Sequence, residues 1–215
     1  MWRDNLIAGA RLLGLELTIR QVEQFTVYLN ELKRWNKTYN LTTVTESFAV
    51  TSKHFLDSLN YLVALNGAEE VLDLGSGPGF PGLPLAIVLP QTKFVLVDAR
   101  RKKTIFLAFA SQQLGLKNVE IIHLHLSQGN AKTVFERCFP VIITRAVSIL
   151  RDVVPVASSL LAPHGCLLFT DAHPDRHEIE RELGKWPDLF LEKLEKTGLS
   201  GRAPELYIGT IRKKG

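Results

Sequence analysis

The chain has 215 residues, 46% of them hydrophobic and 22% charged, enough for one large core or one core with a small cap. No apolar run is long enough to form a membrane-spanning helix, and Asp4 and Arg11 interrupt any secretory pattern behind Met1, so a cytoplasmic chain is expected. The net charge of +4 permits a nucleic-acid partner without demanding one, while Cys138 and Cys166, distant and in no C-x-x-C pair, give no zinc signal and are expected to be small buried residues.

The first third reads as helix. Thr18 and Gln21 have the spacing of a capping box, and Val22, Phe25, Leu29, Leu32 and Trp35 follow at helical intervals. A further helical pattern through Phe48, Phe55, Leu59 and Leu62 stops at Asn66-Gly67. Strand patterns begin only after residue 69. Strands over 71–74, 94–98, 119–122, 141–143 and 166–169 alternate with helices over 83–89, 103–114 and 149–161. Such alternation predicts a parallel sheet covered on both faces. The segments 189–194 and 206–211 partly alternate and lie too close for an intervening helix, so they are predicted to pair as an antiparallel hairpin at one edge. The expected fold is therefore α/β: a doubly wound, mostly parallel seven-stranded sheet with a C-terminal antiparallel hairpin. A helical cap over 1–67 and a sheet unit over 68–215 are expected to form one compact body.

The strongest motif is Asp73-Leu74-Gly75-Ser76-Gly77-Pro78-Gly79-Phe80, between a strand and a helix. Glycines there let main chain approach a ligand closely. Asp98 ends the next strand, placed to accept hydrogen bonds from the ribose hydroxyls of an adenosine. Two cofactor classes share that much. A dinucleotide site wants a third glycine where this chain has Phe80. The G-x-G-x-G pattern preceded by Asp73 instead resembles the first motif of class I methyltransferases, which use S-adenosylmethionine. Asp73 would then oppose the positive charge of that cofactor.

Five further pieces carry a closer resemblance. They are 35–42 (Trp-Asn-Lys-Thr-Tyr-Asn-Leu-Thr), 54–59 (His-Phe-Leu-Asp-Ser-Leu), the Gly-Phe-Pro-Gly within 75–84, Lys102-Lys103 followed by Phe106-Leu107, and Thr144-Arg145-Ala146-Val147. In this order and spacing, over nearly the whole chain, they resemble the bacterial 16S ribosomal RNA guanine-N7 methyltransferases, also called the glucose-inhibited division protein B family. The resemblance implies cofactor contacts at Gly75, Phe80, Leu126, Ser127 and Arg145. It also implies methylation of one guanosine in a loop near the ribosomal decoding centre, on 16S ribosomal RNA or the small subunit. A monomer is expected, although the residues themselves say nothing of oligomeric state. Two departures stand out. His125-Leu126-Ser127 replaces the family's Arg-x-Glu, and Thr170-Asp171-Ala172 replaces its Lys-Gly. The alternatives are a methyltransferase with a small-molecule or protein substrate, and a ribosome-binding relative that has lost catalysis.

N7 of guanine holds a lone pair and no proton, so no general base is expected. The enzyme's task would be alignment and tolerance of a positive charge moving to the purine. From the glycine motif the expected cofactor contacts are Asp73, Gly75, Ser76, Gly77, Gly79, Phe80 and Asp98, with Arg145 at the cofactor–substrate boundary or, alternatively, a surface arginine at a strand end. Arg100, Arg101, Lys102 and Lys103 place four cations at a helix start, against the macrodipole. That placement favours a phosphate partner, with a solvated helix end as the alternative. Asn40, His54 and Asp57 are further candidate RNA contacts, His54 and Asp57 being equally readable as a hydrogen-bonding pair that packs the cap. Arg212-Lys213-Lys214 reads as a frayed tail. His173, Asp175 and His177 lack a third ligand arrangement, so no metal is expected.

Overall fold

The computed structural model describes residues 1–65, 67–145, 150–197 and 205–215. Its strands are β1 (Glu70–Leu74), β2 (Lys93–Asp98), β3 (Val119–His123), β4 (Phe139–Thr144), β5 (Leu161–Asp171), β6 (Leu189–Lys196) and β7 (Tyr207–Lys213). They form one sheet in the order β3-β2-β1-β4-β5-β7-β6. The first five run parallel, and β7 is antiparallel to both its neighbours. The order reverses between β1 and β4, and a crevice opens at the carboxyl ends of strands at such a switch point.

Side chains of a strand alternate between faces, and here they feed two cores. Val71, Phe94 and Leu96 join one, while Leu72, Val95 and Val97 join the other. The first core continues into the cap, built from α1 (Trp2–Leu12), α2 (Ile19–Tyr39), α3 (Ser47–Val50), a π-helical turn (Thr51–Leu56), α4 (Asp57–Leu59) and α5 (Leu62–Leu65), and into α6 (Gly82–Val88) and α7 (Arg101–Gln113). The second is closed by α8 (Gln128–Val134), α9 (Leu150–Leu160) and α10 (Arg176–Leu183). The box at the head of α2 forms as its sequence requires: Thr18 N donates to Gln21 Oε1 at 2.9 Å, and Gln21 N to Thr18 Oγ1 at 3.2 Å.

Several expectations change. The helical pattern through Phe48 is not one helix. The π-helical turn shifts its phase, and Phe48 is left 53% exposed while Phe55 and Leu59 are fully buried. Cys166 is buried, but Cys138 lies just before β4 and is exposed. Two helices carry little apolar periodicity to announce them: α8 buries only Ala131, and α10 only Ile179 and Leu183. The terminal hairpin forms as expected, with β7 inserted beside β5 and β6 left as the edge. The tail is not frayed. Arg212 grips Glu192 with two bonds of 2.7 and 2.6 Å, Lys213 Nζ donates to the carbonyls of Ser158 and Leu161, and Lys214 Nζ donates to that of Pro187. Asn66, Ala146, Val147 and Ile149, and the stretch 198–204, lie outside the described residues.

Candidate active site

The glycine turn leaves β1 at the carboxyl edge of the sheet and is strapped to the end of β2. Gly75 N and Ser76 N both donate to the Val97 carbonyl, at 2.9 and 3.1 Å. Asp98 Oδ2 accepts from Gly77 N and its Oδ1 from Arg100 N, each at 2.8 Å. Asp98 thus shapes the turn and the entry to α7, and each oxygen keeps a further lone pair. Gly75 has φ +74°, and a Cβ built on it would meet nothing within 4 Å. The backbone demands glycine there, and the space above it stays open. That space belongs to a cavity of about 540 Å³ lined by Gly75, Asp98, Leu126 and Ser127, with Val97 and Val156 among its apolar walls. Its size is that of a small-molecule site.

Four of the expected cofactor residues therefore meet at one cavity. Others serve the turn itself. Ser76 is fully buried and its hydroxyl donates to the Asp73 main-chain carbonyl at 3.0 Å. Ser127 N is already bound to Asn130 Oδ1 at 2.8 Å, so Ser127 meets the cavity with its other atoms. Asp73 lies fully buried beneath the turn, with Oδ2 accepting from Gly82 N at 2.9 Å and Oδ1 without a hydrogen-bond partner among the described residues. Burial pushes its carboxyl pKa up to about 7, against the Gly82 N–H and then the Ser76 hydroxyl, which favour the charged form. An ionised, half-satisfied carboxylate in such a place calls for a cation.

Gly79 and Phe80 turn out to face the cap. Tyr28 of α2 donates its hydroxyl to the Pro78 carbonyl at 2.7 Å. Gly79 has φ +110°, and a Cβ on it would lie 2.5 Å from that Tyr28 oxygen and 2.6 Å from Leu83 Cδ1. This glycine admits a tyrosine of the cap. The Phe80 ring has two close neighbours: His54 stacks on it at 4.5 Å between centroids, and the Arg145 guanidinium lies 5.5 Å from its centre. Arg145 also donates to the Lys53 carbonyl in the π-helical turn. Desolvation lowers the Arg145 pKa, opposed first by the charge of Asp57. Arg145 is thus no free surface arginine. It ties the end of β4 to the cap across the face of Phe80.

His54 uses both ring nitrogens locally, Nε2 at 3.1 Å from Thr42 Oγ1 and Nδ1 at 2.9 Å from the Lys53 carbonyl. Burial, then the charge of Arg145, pushes its pKa down to about 3, so the ring is neutral. These two contacts hold the ring between the α2–α3 connection and the π-helical turn. Asp57 lines a second cavity of about 740 Å³ together with Arg145, Thr170 and Asp171, and Arg151 lines both cavities.

The four-cation run divides. Lys102 Nζ donates to the Tyr39 carbonyl at 2.8 Å, at the C-terminal end of α2. Lys103 is half-buried with Nζ toward Gly77, and burial lowers its pKa. Arg100 and Arg101 are exposed, and Asn40, in the left-handed conformation with φ 47°, closes α2 on the exposed surface. Tyr28 and Tyr61 escaped the sequence reading, and Thr144 entered it only as part of the motif before Arg145. Tyr61 donates to the Thr144 carbonyl, and Thr144 Oγ1 donates to the Leu74 carbonyl at 3.0 Å, joining cap, β4 and β1. The only sign of Tyr28 was its place in the apolar stripe of α2, three residues after Phe25.

Comparison with known proteins agrees with this geometry. The model of the family described as rRNA small subunit methyltransferase G matches residues 21–201. A ribosomal RNA small subunit methyltransferase G from Nitrosococcus oceani is 42% identical over 178 residues, covering 82% of this chain and 81% of that protein. Its counterpart from Neisseria meningitidis serogroup C is 34% identical over 212 residues, covering 99% of each. Among solved structures, a SAM-dependent methyltransferase from Aquifex aeolicus shares the fold with a TM-score of 0.57, at 14% identity, over 77% of this chain and 93% of that one. The chain belongs to the rRNA small subunit methyltransferase G family.

Proposed function

We propose that this chain transfers a methyl group from S-adenosylmethionine to N7 of a guanine in 16S ribosomal RNA. The observation that carries the reading is the open cavity above Gly75, bounded by Asp98, with an Asp73 oxygen that has no hydrogen-bond partner among the described residues buried beneath the turn. That set fits an adenosine bearing a positive charge. When bound, the cofactor supplies a methyl group on a positively charged sulfur. Gly75, Asp98, Leu126 and Ser127 hold its adenosine, the remaining lone pairs of Asp98 accept from ribose hydroxyls, and the Asp73 carboxylate offsets positive charge.

Because N7 has no proton to lose, the protein's own residues position and desolvate the acceptor rather than move a proton. Arg145 is the positioning residue, held by the Lys53 carbonyl and the Phe80 face in the wall of the second cavity. Arg100 and Arg101 meet the RNA backbone, with Asn40 at the same surface. Lys102, Lys103 and His54 act indirectly, through the cap and the turn they hold. Residues 1–67 serve as the cap and 68–215 as the sheet unit of a monomer that works in the cytoplasm, where its substrate is made.

The test is purified protein with labelled S-adenosylmethionine and either deproteinised 16S ribosomal RNA or small subunits, followed by mass analysis of nucleosides. Label in 7-methylguanosine at a single position is expected. Label in another nucleoside would overturn the N7 assignment, and calorimetry showing no uptake of S-adenosylmethionine would overturn the cofactor.

A further inference from the structure

The cavity above Gly75 has to seat a purine as well as a ribose, and a purine has two apolar faces and a polar edge. Apolar wall comes from Leu126 and from one face of α9, where Pro155 and Val156 follow Asp152 at three and four residues. The polar edge of adenine carries an exocyclic amino group, a donor that needs an acceptor. Main-chain carbonyls along this wall are drawn into the head of α8. That of His125 accepts from Asn130 Nδ2 at 2.9 Å, and that of Ser127 accepts from Asn130 N at 3.2 Å and Ala131 N at 3.0 Å. Asp152 differs. It lines the same cavity and is exposed, and no hydrogen bond or ion pair joins its carboxylate to another described residue. Its neighbour Arg151 does not neutralise it, being paired with Glu182 at 3.9 Å from Nε to Oε2.

We propose that Asp152 selects the base of the cofactor by accepting from the exocyclic amino group of adenine. The inference rests on the methyltransferase reading above. A carboxylate offers acceptors only, so it favours a 6-amino purine and opposes a 6-keto purine, whose oxygen would face it as a second acceptor. Gln128 lines the cavity too, but its amide can present either a donor or an acceptor and so suits both purines. Asp98 has the other task at this cavity: it shapes the turn through Gly77 N and Arg100 N and keeps its remaining lone pairs for the ribose. Asp152 also stands in the first turn of α9, where an acid opposes the helix dipole. A role confined to that would act on both purines equally.

The experiment is calorimetry on the full chain with two stable ligands, S-adenosylhomocysteine and its deaminated counterpart S-inosylhomocysteine. Each is titrated into the wild type, Asp152→Asn and Asp152→Ala. The wild type should bind the adenosyl compound at least ~10-fold more tightly, the scale of one hydrogen bond to a charged acceptor. In Asp152→Asn the amide can turn its NH2 toward the keto oxygen, and the ratio of the two affinities should fall at least ~5-fold. Asp152→Ala should lower the ratio by weakening the adenosyl compound alone. Equal wild-type affinities, or a ratio left unchanged in Asp152→Asn, would overturn the proposal even if Asp152→Ala fails to fold; the unchanged ratio is the result that a helix-dipole role predicts. Failure of the wild type to bind either compound would overturn the methyltransferase reading itself, and this inference with it.

Discussion

Replacing Asp73 by asparagine should make the protein more stable at neutral pH while weakening its hold on the cofactor. Asp73 is fully buried, has one oxygen without a hydrogen-bond partner among the described residues, and has its pKa pushed up from 3.8 to about 7. Below pH 3.8 the side chain is neutral in folded and unfolded chains alike, and its burial is free. Between there and pH 7 the unfolded chain releases the proton and the folded one keeps it, so stability falls as pH rises, by up to about 1.4 kcal/mol per pH unit. Across the interval the loss is of order 4 kcal/mol, complete above about pH 7. His54 acts with the opposite sign: its pKa is pushed from 6.5 to about 3, so its burial is free above pH 6.5 and increasingly unfavourable below it. The two slopes oppose each other between pH 4 and 6.5, and the informative quantity is the difference between wild type and Asp73→Asn. Asparagine keeps an acceptor for Gly82 N and carries no charge. Urea unfolding from about pH 4 to about pH 8 should show the variant gaining on the wild type by roughly 1 kcal/mol per pH unit up to pH 7. Calorimetry should show uptake of S-adenosylmethionine weakened at least ~10-fold, without the wild type's rise in affinity between pH 5 and 7. Stability curves that run parallel for the two proteins would refute the reasoning.

Three other predictions concern how the turn, the cap and the surface cations divide their work. Gly79→Ala places a methyl group against Tyr28 and Leu83 at φ +110°, and should lower unfolding free energy by about 3 kcal/mol in a denaturant titration; a loss under about 1 kcal/mol would show that the cap does not press on the turn. Arg145→Ala should cut kcat/KM for methyl transfer at least ~10-fold, and Arg145→Lys should restore little of it, since an ammonium cannot spread over the Phe80 face while donating to Lys53. Unchanged turnover and cofactor affinity in Arg145→Ala would remove that residue from the site. Arg100→Gln with Arg101→Gln should reduce the slope of log affinity for RNA against log salt by about 0.7–0.9 for each phosphate no longer neutralised, whereas Lys102→Gln, whose ammonium is bound to Tyr39, should change it less. Filter binding at several salt concentrations decides this, and an unchanged slope in the double variant would return the cluster to ordinary solvated surface.

Features set by a few neighbouring residues could be read from the chain alone. The Thr18–Gln21 box, the buried strands before Gly75 and at 94–98, and the terminal hairpin all follow from local spacing. Family membership was equally legible, because the glycine turn and the Thr-Arg pair at 144–145 are contiguous signatures. Elements held by long-range packing were not. The helices α8 and α10 bury one and two residues, too few to impose a period, and the phase shift at Thr51–Leu56 leaves no mark in hydrophobic spacing. Ser76, Gly79 and Phe80 belong to the motif by sequence, yet their side-chain space is committed to β1 and the cap.

The amino-acid sequence by itself determined which strands would be buried, where the chain would turn tightly, and which charged residues would cluster, since each depends on chemistry within one turn or one strand. Only the tertiary structure decided what those residues face. Tyr28 reaches Pro78 and Lys102 reaches Tyr39 across 50 and 63 residues of chain, and Arg145 meets Lys53 across 92. Such contacts are selected by the closing of the cap over the sheet edge. That closure divides a single run of four cations into two that hold the fold and two that face solvent.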